Sequence, residues 1–167
     1  ELVGADVADL LAPYRAAVDR REKSFLELIR EHDLVLALDS LVPFGHWITP
    51  TMMPKRFDTY FYVAPAPKVQ LASHDGREAT DSMWVNANKA LDMESKGEAT
   101  IIFPTRMNLR KLTRAHSVVQ ATEIFGAEEI ITVLPEITKD EEGNPCLKIP
   151  EVLGYEQTIE PMTNIQV

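Results

Sequence analysis

F-G-H-W-I-T-P at 44–50, P-K-R-F-D-T-Y-F-Y-V at 54–63, H-D-G-R-E-A-T-D-S-M-W-V at 74–85 and F-P-T-R-M-N-L at 103–109 follow one another across residues 44–112. Each places charged or polar side chains at the ends and edges of apolar, strand-like runs. A site is built in this way, because rigid strands hold loop residues in place. Within the second piece, Phe57, Thr59, Phe61 and Val63 alternate with Asp58, Tyr60 and Tyr62, which predicts a strand over 57–64 with both faces occupied. Pro65 and Pro67 stop it. The rest of the chain reads as support for this stretch.

Upstream, residues 5–31 read as helix, with Val7, Leu10, Leu11, Tyr14 and Val18 recurring at three and four spacing. Pro13 predicts a break or kink there. Ser24 is an N-cap for a second short helix whose apolar face is Phe25, Leu28 and Ile29, with Glu27 at the capping-box position. The charged run 19–23 between them reads as a solvated surface. Residues 34–38 and 41–49 are strand candidates, 50–54 a loop between two prolines, 73–76 a turn, and 79–85 a short strand carrying Trp84.

Downstream, 86–96 reads as helix, with Leu91 and Met93 inward and Gly97 as its cap. Pro104 opens the next helix at its first turn, with Leu109 and Leu112 as the buried side. A further helix is expected over 117–125. Residues 130–137 and 146–149 form a hairpin around the turn 140–144, where Gly143 supplies the bend. Residues 156–167 carry little signal and predict a mobile tail.

The composition narrows the function. The chain of 167 residues has 17 basic and 26 acidic side chains, a formal charge of −9, which argues against nucleic acid as a partner. An acidic protein still binds a phosphorylated ligand where a few cations or a divalent metal are placed locally. The lone cysteine, Cys146, excludes an internal disulfide and a thiolate-rich metal site, which fits a reducing compartment. No apolar run approaches the roughly 18 residues of a membrane span. The first residues lack the basic start and apolar run of a signal peptide. The chain opens on Glu1 without an initiating Met, so a processed or excised piece of a longer protein is expected.

Several side chains suit a site. His46 beside Trp47 is either a ligand-stacking pair or two packed residues. Arg56 and Asp58 flank Phe57 on one strand face; they either pair with each other or leave Arg56 to grip a phosphate as a bidentate fork. His74, Asp75 and Glu78 gather in a turn and the strand after it. A carboxylate there acts as general base or holds Mg2+, unless the turn is simply solvated. Arg106, in the first turn of its helix, makes a salt bridge or meets an anionic ligand at the helix N-terminus. Cys146 has neither a nearby His nor a helix start, which argues against a nucleophile. The phosphate-loop, dinucleotide, nucleophile-elbow and H-E-x-x-H motifs are absent, and His32, His46, His74 and His116 lie too far apart for metal-ligand spacing.

Taken in order, F-G-H-W-I-T-P, P-K-R-F-D-T-Y-F-Y, H-D-G-R-E, W-V (84–85) and F-P-T-R-M-N (103–108) closely resemble the second half of a Nudix hydrolase. The set is most similar to the branch of coenzyme A diphosphatases, with residues 1–33 as that branch's helical insertion, 34–116 as the C-terminal part of the Nudix-like domain, and 117–167 as a C-terminal helix, hairpin and tail. The resemblance implies an α+β fold, an α/β/α sandwich on a mixed sheet. It implies attack of water on a diphosphate linkage in a coenzyme A-like or nucleotide-like substrate, assisted by Mg2+ or Mn2+. Glu78, and after it Asp75, match the loop where some Nudix enzymes carry an additional catalytic, metal-binding glutamate. Arg56 and Asp58 match the family's R-F-D-T and imply a place lining or bracing the substrate cleft. His46, Trp47 and Arg106 join them as candidates for substrate binding.

One departure stands against this. The family's G-x5-E-x7-R-E-x2-E-E-x-G element is not found: Arg21-Glu22 and Arg30-Glu31 are both followed by residues without a glutamate pair, and the family's N-terminal strands are also missing. Two readings follow. The chain is a portion of a hydrolase completed by an N-terminal segment, or it is a non-catalytic Nudix-derived domain that homo-oligomerises to cover a sheet edge, or only binds a small molecule. The ending Ile165-Gln166-Val167 is not a peroxisomal signal, so a cytoplasmic location is expected.

Overall fold

A computed structural model describes residues 5–67, 74, 76, 79–151, 155 and 157–164, with side chains from residue 12 onward. The chain divides into two compact units, residues 1–40 with 65–84, and residues 41–64 with 85–167. Among the described residues no helix is long and apolar enough to cross a membrane.

In the first unit, helix α1 (Ala5–Asp19) runs through Pro13 as one helix, without the expected break. Arg21, at φ 59°, turns the chain into α2 (Phe25–Glu31). The capping box forms as its sequence predicts: the Ser24 hydroxyl accepts from Glu27 N–H while the Glu27 carboxylate accepts from Ser24 N–H. The strand expected at 34–38 is absent, replaced by irregular chain and a 3-10 turn, Leu38–Ser40. These residues pair with no strand among the described residues, and Val35 is almost wholly exposed. The strand expected at 79–85 is absent for the same reason, and Trp84 is exposed. Of the turn at 73–76, Ser73 and Asp75 lie outside the described residues; Gly76 takes φ 74° and donates to the Ala79 carbonyl.

The second unit is built on strand β1 (Val42–Ile48). It pairs antiparallel with β2 (Asp58–Val63), after which come helices α3 (Ala87–Ser95), α4 (Phe103–Leu112) and α5 (Val118–Gly126). Strand β3 (Thr132–Val133) pairs parallel with the other edge of β1, giving a mixed sheet in the order β2-β1-β3. The expected single strand at 130–137 is therefore two. Strand β4 (Glu136–Lys139) leaves for a second, antiparallel sheet with β5 (Pro145–Lys148) and β6 (Ile159–Pro161). The predicted turn joins β4 to β5, with Gly143 at φ 87° and Asp140 accepting from the Glu142 and Asn144 amides. The architecture is α+β.

Strand β1 is buried on both faces. Phe44 meets Phe125 of α5 edge-to-face at 4.7 Å, while Trp47, pointing the other way, meets Phe103 of α4. Gly45 lies beside Trp47, and a methyl group there would stand 3.1 Å from Asn108 Oδ1, so its lack of a side chain admits α4. The buried side of α4 is Phe103, Met107 and Asn108, with the predicted Leu109 and Leu112 only half-buried. Trp47, Phe103, Met107, Val133, Leu147 and Ile149 make one cluster, which joins the second sheet to the first.

The expected tail is ordered over 157–164. Strand β6 adds to the free edge of β5, and Glu160 within it is 2% exposed. Its carboxylate accepts from Arg106 at 2.5 Å and from Gln157 at 2.6 Å, while the other arm of Arg106 reaches Glu94 at 2.6 Å. On α4, Lys111 donates to the Phe44 carbonyl at 2.8 Å and pairs with Glu128 at 2.9 Å. Partial burial pushes the Glu128 carboxyl up, yet the bonds from Lys111 and Arg114 together outweigh that and hold it below its ordinary 4.5.

Two outcomes follow. Glu160→Ala leaves a buried guanidinium half-paired, and urea unfolding should show a loss of about 3 kcal/mol; a loss no larger than that of an exposed Glu→Ala control would refute the role. Because the Glu128 value is depressed on folding, its contribution is complete above the unfolded-state value and fades as pH falls through the folded one. Glu128→Gln should lower Tm at pH 7 and match the parent protein near about pH 3.

Candidate functional site

The register of the first sheet places three side chains in one line. His46 on β1 is opposite Tyr60 on β2 and Thr132 on β3. Side chains opposite one another in a sheet share a face, so all three lie together, joined by Asp58 two residues before Tyr60. The His46 ring is 7% exposed. Its Nε2 is 2.5 Å from Asp58 Oδ1, and its Nδ1 is 2.7 Å from Thr132 Oγ1. A carboxylate only accepts, so Nε2 carries a proton and donates it; in neutral imidazole, Nδ1 then accepts from the threonine hydroxyl. Tyr60 lies flat on the ring, with centroids 3.9 Å apart and planes 8° from parallel. Both nitrogens are occupied, so His46 positions Asp58. The Asp58 side chain is 66% exposed, and its Oδ2 has no partner among the described residues.

Thr49, just past the end of β1, anchors the neighbouring cation. Its carbonyl accepts from Arg56 Nε at 3.0 Å, its hydroxyl accepts from Phe57 N–H at 3.0 Å, and its own N–H donates to the Phe57 carbonyl at 2.9 Å. Arg56 thus has its terminal nitrogens without a partner among the described residues, and it does not pair with Asp58. The threonine of W-I-T-P and the arginine of R-F-D-T are joined by this contact.

The other candidates are placed differently. Trp47 is 4% exposed, packed between Phe103 and Tyr155, and presents no face to a ligand. Burial pushes the Tyr155 phenol above its ordinary range, against a smaller pull from the Trp47 indole. Both arms of Arg106 are taken by Glu94 and Glu160. Asp75 and Glu78 lie outside the described residues. Among the described residues no three of His, Cys, Asp and Glu come together, so they supply no cage of oxygen ligands for a divalent ion. Thr132 and Tyr60 escaped the sequence reading: Thr132 belongs to no motif and arrives by a parallel pairing 86 residues away in sequence.

The comparisons with known proteins fit this architecture. Residues 3–112, about two thirds of the chain, match the NUDT19 Nudix domain family, and the chain belongs to that family. It is similar to the acyl-coenzyme A diphosphatase NUDT19 of Xenopus laevis, 26% identical over 86 residues, covering 49% of this chain and 23% of that protein. The chain thus matches about a quarter of its curated relative's length. No solved structure matches it.

The tautomer of His46 is directly observable. Nitrogen-15 NMR at neutral pH should place the ring proton on Nε2. Thr132→Val should cost about 1 kcal/mol while leaving that proton in place; a ring protonated on Nδ1 alone would contradict the assigned chain of bonds.

Proposed function

We propose that this chain is the substrate-facing portion of a Nudix pyrophosphohydrolase that cleaves the diphosphate linkage of a coenzyme A-like or nucleoside-diphosphate substrate with Mg2+ or Mn2+. The observation that supports it is the separate anchoring of Arg56 and Asp58, a cation and a carboxylate each held by its own partner on or beside β1. In hydrolysis the water oxygen bonds to one phosphorus, the bridging P–O bond breaks, and the second phosphate leaves with the bridging oxygen. A guanidinium fixed in advance holds the dianionic linkage with little further loss of side-chain freedom. Asp58 Oδ2 orients a hydroxyl or amine of the same substrate. A divalent ion, when bound, neutralises charge and activates the water; Glu78 and Asp75 are the proposed oxygen ligands. The likeness to an acyl-coenzyme A diphosphatase supports acyl-CoA as the first substrate to test.

With acyl-CoA and Mg2+, chromatography should resolve a phosphopantetheine half and an adenosine half. Arg56→Ala should lower kcat/KM about a hundredfold, and Asp58→Asn should lower it less. Unchanged rates in both variants would remove these residues from the site. Calorimetry should find weak Mg2+ binding that is lost in Glu78→Ala or Asp75→Ala; tight binding surviving both changes would sink that assignment.

A further inference from the structure

Arg56, Asp58 and Tyr60 alternate along one face of β2 and the segment leading into it, and all three are exposed. Among the described residues β2 is an edge strand of its sheet. Same-face residues on a strand stand about 7 Å apart. The row therefore presents, in order, a guanidinium whose terminal nitrogens have no partner among the described residues, a carboxylate whose second oxygen likewise has none among them, and an aromatic ring. Tyr60 differs from the other exposed aromatics nearby. One of its faces is packed flat on His46, which is itself held at both nitrogens, yet the residue remains 57% exposed. Tyr62, on the same strand face, has no ring partner among the described residues, and the Phe57 ring lies under Lys55. A ring immobilised on one side and open on the other is a stacking platform whose ordering cost is already met in the free protein.

We infer that the β2 edge binds the nucleoside diphosphate half of the substrate, with the base stacked on the open face of Tyr60, a ribose hydroxyl donating to Asp58 Oδ2, and the phosphates at the Arg56 fork. The complementarity is specific to position. The cation lies at one end for the anionic phosphates, the acceptor sits in the middle for a hydroxyl donor, and the apolar ring lies at the far end for the base. Base, sugar and phosphate follow one another in that order in a nucleotide. This inference rests on the diphosphate reading above and adds which half of the substrate lies on this strand, and in which direction.

The test compares ADP with inorganic pyrophosphate by calorimetry on the same chain. ADP should bind more tightly than pyrophosphate. Tyr60→Leu, which keeps the bulk and loses the π-face, should weaken ADP about tenfold and leave pyrophosphate unaffected, while Tyr60→Trp retains ADP binding. Arg56→Ala should weaken both ligands, and Tyr62→Leu neither. Equal affinity for ADP in Tyr60→Leu and the parent protein overturns the platform, as does an ADP affinity no greater than that for pyrophosphate. So does a self-association that sedimentation shows to bury Tyr60 and exclude ADP. If acyl-CoA hydrolysis still depends on Arg56 in any of those cases, the diphosphate reading stands and only the placement of the base fails. If pyrophosphate is not bound and hydrolysis is absent, both fail.

Discussion

The larger unit depends on β1 being paired on both edges and buried on both faces. A strand so placed satisfies its backbone only with neighbours on either side, and its central residues, Phe44 to Trp47, are all buried. Because side chains alternate with a period of two, a slip of one residue would send His46 toward α4 and Trp47 toward α5. Gly45 adds to the cost of that slip, since even a methyl group at this position would stand 3.1 Å from Asn108 Oδ1. The register that sets the core is therefore the register that lines up Tyr60, His46 and Thr132.

The cations of α4 show how an acidic chain spends its few positive charges. Arg106 is closed between Glu94 and Glu160, and Lys111 is shared by Glu128 and the carbonyl of Phe44. A buried cation left without partners would be costly, so these residues hold α3, β6 and β1 to α4 and offer nothing to a ligand. Arg56 is the contrast. Its one bond among the described residues, to a backbone carbonyl, fixes the side chain without neutralising it. That difference between a spent cation and a held one sorts the arginines more sharply than their motifs do.

Local signals in the sequence held at most positions where the physics is local, although Pro13 did not break α1. The capping box at Ser24 and Glu27, the proline opening α4 and the Gly143 turn all involve residues within four positions of one another. The missing strands share a cause. Residues 34–38 and 79–85 have strand-like composition but no strand beside them among the described residues, and composition carries no information about a partner. The C-terminal segment looked featureless because its value lies in one residue, Glu160, whose partner is 54 positions earlier.

The sequence by itself determined the family, through an ordered set of short motifs, and offered Arg56, Asp58 and Glu78 as the candidates to meet a ligand. It could not say how they are held. Only the tertiary structure decided that Trp47 and Arg106 belong to the framework, that Thr49 grips Arg56, and that a threonine from the far side of the sheet steadies His46 beneath Tyr60. The reason is that a residue type records what a side chain is able to do, while burial and pairing across strands decide whether that capacity is already used.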